Sequence, residues 1–122
     1  MKTDNVILVK SKCFAVNCIR LYQYLCREKS EYVISKQLLR SGTSIGANIA
    51  EAEHPQSNAD YLNKMNIALK EANETKFWLR LLRDCKYISD EQADSLLLDC
   101  YRIIKILVTI VGKVKLKIKN TK

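Results

Sequence analysis

Apolar residues recur along this chain at spacings of three, four and seven, the period of helices packed on one side. Ile7, Phe14, Cys18, Leu21 and Leu25 form the first stripe, widened by Ala15, Ile19, Tyr22 and Cys26; they predict a helix from about Asn5 to Lys29. A second stripe is Ile34, Leu38, Ser41/Gly42, Ile45, Ile49 and Ala52. Ser30 is placed to cap that helix, with Glu31 in its first turn. It should end near Glu53, because the residue before Pro55 disfavours helix. Ser57-Asn-Ala-Asp60 matches a helix-start box, and Tyr61, Met65, Ala68, Ala72, Thr75, Leu79 and Leu82 carry a third helix to about Lys86. Ser89-Asp-Glu-Gln92 is a second box. The fourth stripe is Ala93, Leu97, Cys100, Ile104, Leu107 and Val111, with Gly112 as the expected stop. Lys113-Val-Lys-Leu-Lys-Ile-Lys119 alternates like a strand, but with no partner strand it reads as frayed helix or flexible tail.

The predicted fold is all-α: an antiparallel up-down-up-down four-helix bundle over residues 1–112, followed by a basic C-terminal tail over 113–122. Short connections make neighbouring helices antiparallel. The chain has 122 residues, 48% of them hydrophobic, with three glycines and one proline, which suits a single domain of few, long helices. A chain of this length needs neither disulfides nor a metal to fold.

The fourth helix carries more apolar residues than one buried face holds. Leu96, Leu98, Tyr101, Ile103, Ile106, Val108 and Ile110 lie beside or opposite its core line, and Asp99, Arg102 and Thr109 make only a narrow polar strip. The third helix behaves alike around Phe77, Trp78 and Leu81. Such helices are buried on more than one side, so self-association is expected. The alternative is that long lysine and arginine stems cover the surplus.

Within the second helix, Gly42, Gly46 and Ala50 are spaced by four and form a row of small residues that lets another helix come close. Arg40, Ser44, Asn48 and Glu51 share a neighbouring face. The expected role of both rows, and of Phe77 and Trp78, is structural: close packing, and polar pairing across an interface that fixes register. A phosphate-cradling loop is excluded, since no strand-to-helix turn and no Gly-Lys-Ser/Thr accompanies the glycines.

Charge changes the picture at one end. The net charge is +8, and the last ten residues hold five lysines (Lys113, Lys115, Lys117, Lys119 and Lys122) with no acid. Residues 1–112 carry 16 basic and 13 acidic side chains, leaving +3. A basic segment attracts polyanions without reading sequence; otherwise it serves solubility. Arg20, Arg80, Arg83, Arg102 and Lys105 are weaker candidates for phosphate contact.

Catalytic signatures are missing. Glu51-Ala-Glu-His54 has the spacing of a carboxylate-bundle metal motif, but it abuts Pro55 and occurs once. Cys13, Cys18, Cys26, Cys85 and Cys100 are odd in number, lack a Cys-x-x-Cys pair and sit within helical patterns. They read as thiols in a reducing compartment. With no signal peptide and no membrane-spanning run, the expectation is a soluble cytoplasmic protein. It should have no catalytic residue, no cofactor, no metal and no membrane partner.

The run Gln37-Leu-Leu-Arg-Ser-Gly-Thr-Ser-Ile-Gly-Ala-Asn-Ile-Ala-Glu51, continued by Ala68-Leu-Lys-Glu-Ala-Asn-Glu-Thr-Lys-Phe-Trp-Leu79, resembles the signature of the bacterial 23S rRNA intervening-sequence proteins. The accessory variability determinant of diversity-generating retroelements is a relative of that family. The resemblance implies a non-enzymatic four-helix bundle assembling as a homopentamer. Its retroelement relatives bind nucleic acid and a reverse transcriptase through a basic surface. Family members usually carry glycine after Asn-Ile-Ala-Glu, where this chain has Ala52. The combined expectation is a non-catalytic homo-oligomer that binds RNA or DNA backbone through Lys113, Lys115, Lys117, Lys119 and Lys122. The alternative is a protein-binding scaffold or accessory subunit with no direct nucleic-acid role.

Overall fold

In the computed structural model, residues 2–120 are described, with side chains from Val6 onward. Four helices follow one another: α1 (Lys2–Lys29), α2 (Ile34–Glu51), α3 (Asn58–Asp84) and α4 (Asp90–Asn120). Consecutive helices pack along their lengths, and α1 and α4 meet less extensively. Contacts run antiparallel throughout. Gly42 and Gly46 of α2 meet Cys18 and Ser11 of α1; Arg40 and Glu51 reach Glu71 and Lys64 of α3; Cys100 of α4 reaches Ala72 of α3. No helix among the described residues is long and apolar enough to cross a membrane.

The four stripes form a single core. Phe14, Leu25, Leu38, Ile45, Met65, Leu79, Leu82 and Leu107 are fully buried within it. Burial of each such side chain contributes about 1.5–3 kcal/mol. The polar members of the stripes are also satisfied. Thr75 Oγ1 lies 2.9 Å from Ser41 Oγ and 2.8 Å from the Glu71 carbonyl, joining α2 to α3 inside the core.

Two helix boundaries differ from expectation. Ser30 does not cap α2; it takes the left-handed conformation (φ 50°) that ends α1. The cap comes from Glu31, whose carboxylate accepts the backbone N–H groups of Val33, Ile34 and Ser35 at 3.2, 3.2 and 2.7 Å. A longer side chain reaching from one turn back thus replaces the serine, and α2 begins at Ile34. Its other end is Ala52, with φ −71° and ψ −11°. Those are right-handed values, which alanine adopts without strain. The second difference is Gly112: α4 runs through it to Asn120. Residues 113–120 are therefore not a separate tail. Val111, Val114 and Ile118 keep the three-and-four spacing that turns an apolar edge inward, and Lys117 and Lys119 complement the helix C-terminus. The strand-like alternation of lysine coincides with helical order because lysine tolerates both.

The start boxes after Pro55 and Ser89 both form. Ser57 Oγ accepts from Asp60 N at 3.0 Å. Ser89 and Gln92 cap each other reciprocally, at 3.1 and 2.8 Å. Between them, α3 closes with Lys86 in the left-handed region (φ 64°) and Tyr87 N donating to the Leu82 carbonyl at 2.9 Å.

Candidate nucleic-acid interface

The extension of α4 arranges the lysines in space. At about 100° per residue, Lys113 and Lys117 share one side of the helix, and Lys115 and Lys119 lie about 160° away. All four are exposed. Among the described residues none of them is ion-paired, and no acidic residue follows Asp99 in the sequence. Lys122 lies outside the described residues. The five lysines are therefore not one patch: the helix divides those it holds into two pairs on nearly opposite flanks.

The flank bearing Lys113 and Lys117 borders a groove of about 600 Å³. The α2–α3 turn brings Glu53, His54 and Pro55 to one wall, and Ile49, Met65 and Ile110 supply an apolar floor. Asn58 and Tyr61, from the first turns of α3, line the same space as Thr109 and Val114 of α4. Antiparallel topology brings these together, because the α2–α3 turn and the end of α4 lie at the same end of the bundle. The sequence pattern places Tyr61 on the core stripe of the third helix, and the spacing of Glu51 and His54 suggests a metal motif and no groove. The sole linear signal for the groove was a proline-marked turn, and its distance from residue 113 along the chain hides the pairing.

The other arginines are largely engaged. Arg80 hydrogen-bonds the Tyr101 hydroxyl and lies 5.7 Å from that ring's centroid. Arg83 pairs with Asp84 at 3.2 Å, and Arg102 with Asp99 at 3.8 Å. Arg20 and Lys105 are exposed.

The α2 rows separate by direction. Gly42 and Gly46 face α1, while Ala50 is exposed and takes no part. Arg40 bridges to Glu71 (3.2 Å) and Glu74, and Glu51 accepts from Lys64 at 3.0 Å, so the two ends of the polar row do cross to α3. Its middle closes on itself: Asn48 Nδ2 donates to the Ser44 carbonyl and Oγ at 2.9 and 3.1 Å. Ser44 and Asn48 lie one turn apart, and that short reach wins over the cross-helix pairing expected of them. Glu51, paired with Lys64, is thereby turned toward α3. Trp78 donates from Nε1 to Glu74 at 3.3 Å and stands edge-on to Phe77, with centroids 5.0 Å apart.

The cysteines are free. Burial pushes the Cys18 thiol far up, reinforced by Cys100 nearby. Burial likewise pushes Cys100 up to about 12, against the opposing charges of Lys76 and Arg80. Both stay protonated, and Cys100 donates to the Ala72 carbonyl at 3.3 Å.

Residues 3–109 match the family profile of the 23S rRNA-intervening sequence proteins. The chain belongs to this family. Among solved structures, a crystal structure at 1.70 Å of a protein of unknown function, from the S23 ribosomal protein family of Bacteroides thetaiotaomicron VPI-5482, is 55% identical to it. That structure superposes with a TM-score of 0.89 over 90% of this chain and 98% of the other. No curated protein matches the chain. The matched part of this intervening-sequence protein stops at residue 109, so the lysine-bearing end of α4 lies beyond it.

Proposed function

We propose that this protein is a non-catalytic homo-oligomer that binds the phosphate backbone of RNA or DNA through the C-terminal half of α4. The observation that carries this reading is the unbroken helix to Asn120, which holds four exposed lysines, none ion-paired among the described residues. Family membership supports it at the level of the bundle. Lysine acts as a point charge, so base discrimination along the backbone contact is small.

Self-association is supported by what remains uncovered. Leu98, Tyr101, Val108 and Leu116 fall within about 80° of one another around α4, and are 50%, 41%, 53% and 59% exposed; Phe77 on α3 is 56% exposed. The bundle already buries Leu96, Ile103 and Ile110, which the sequence had counted as surplus. The greasy outer face is thus narrower than expected, but it is still aligned on one side of one helix. A protein-binding scaffold without nucleic-acid contact is the competing reading, favoured by the same apolar face.

Salt separates the two. On duplex DNA, engagement of one lysine pair gives a slope of log affinity against log salt of about −2, and engagement of both gives about −4. Substituting Lys113, Lys115, Lys117 and Lys119 with glutamine should flatten that slope in an anisotropy titration. A slope unmoved by the quadruple variant, or negligible binding at moderate salt, refutes the backbone reading.

A further inference from the structure

We infer that the groove between the α2–α3 turn and the end of α4 receives an unpaired nucleotide, so that the protein prefers single-stranded nucleic acid to duplex. This rests on the backbone-binding reading and assigns it a place. The groove has two chemically distinct halves. Ile49, Met65 and Ile110 make an apolar floor, with Tyr61 and the imidazole of His54 along its sides. Apolar and aromatic walls suit the faces of a base and are indifferent to its sequence. Lys113 and Lys117 stand at the edge, one turn and about 6 Å apart along the axis, a separation commensurate with successive phosphates of an extended strand. A volume of about 600 Å³ accommodates one nucleotide.

Charge sets the orientation. Glu53, also at the groove, repels phosphate but accepts from the exocyclic amino group of a base, the pairing a carboxylate makes with cytosine N4. A strand therefore enters with its base toward the turn and its phosphates toward α4. A base held in a duplex is stacked and paired, and reaches this floor only after extrusion, which costs affinity. An acidic peptide would satisfy the lysines, but it leaves Glu53 unanswered and has no flat ring for the floor. On charge and shape the nucleotide is the better occupant.

The test uses the full chain and two fluorescein-labelled probes of one sequence, a single strand and its blunt duplex, measured by anisotropy at fixed salt. The wild type should bind the single strand at least about tenfold more tightly. Thr109→Trp fills the groove at an exposed position without altering charge; it should abolish this preference and leave the salt slope in place. His54→Ala, also exposed, should weaken the preference and serves if the tryptophan variant does not fold. Glu53→Gln should change the ranking of cytosine-rich against thymine-rich strands. Equal binding of strand and duplex by the wild type, or a preference untouched by both groove variants, overturns this inference while the lysine-dependent salt slope still upholds backbone binding. No binding of either probe overturns both.

Discussion

Gly42 and Cys18 approach so closely that a methyl group on Gly42 would lie 2.5 Å from Cys18 Sγ and 2.9 Å from its Cβ. Of the two glycines on the α1–α2 seam this one is packed the more tightly, and the contact explains a glycine in the middle of a helix. Alanine would be the better helix former by about 1 kcal/mol, but the contact forbids it.

Gly42→Ala should therefore destabilise the fold by about 1–3 kcal/mol despite its gain in propensity, measured by urea denaturation. The paired variant Gly42→Ala/Cys18→Gly should recover much of the loss. Gly112 provides the contrast, since a Cβ there meets nothing within 4 Å. Gly112→Ala should stabilise by about 0.5–1 kcal/mol. Equal effects at the two glycines would show that the seam is not tight.

Acid should loosen the start of α2 first. Burial alone would raise the Glu31 carboxyl, but the backbone N–H groups of Ser35, Ile34 and Val33, helped by the Ser35 side chain, hold it below the usual carboxylate value. A depressed folded-state value means that the stabilisation is fully present above the ordinary carboxylate range and is lost as pH falls through the folded value. Glu31→Gln should cost about 1–2 kcal/mol at neutral pH and less in acid, where the wild-type carboxyl is itself protonated. Stability of the two proteins measured from pH 7 to pH 2 should converge, and parallel curves would remove Glu31 from the cap.

The outer face of α4 predicts association that tracks apolar area. Replacing Leu98 and Val108 together with glutamate should shift the protein to a smaller species in light scattering at micromolar concentration, without loss of helicity. Both positions are about half exposed, so the cost to the fold itself is small. A wild type already monomeric at that concentration would leave the face without a partner copy.

Much of the bundle was legible in the chain because helix stripes and start boxes are local. Ile7 to Leu25, Met65 to Leu82 and the reciprocal Ser89–Gln92 pair each depend on residues within a few turns. The misread boundaries share a cause. Ser30 and Gly112 have the composition of a cap and a stop, yet Glu31 had a longer reach and Val114 and Ile118 kept an inward face. Which surplus side chains stay dry was equally beyond the pattern. Leu96, Ile103 and Ile110 lie off the predicted core line, but neighbouring helices cover them.

By itself the sequence determined the four helices, their alternating directions, the glycine row and the concentration of lysine at one end, since each follows from periodicity, loop length or charge count. Tertiary structure decided that Gly42 and Gly46 face α1 while Arg40 and Glu51 face α3. It also decided that the lysines split into two flanks, one of which borders a groove shared with His54 and Tyr61. The last of these relationships joins residues more than fifty positions apart, and only the packing of antiparallel helices sets which residues meet.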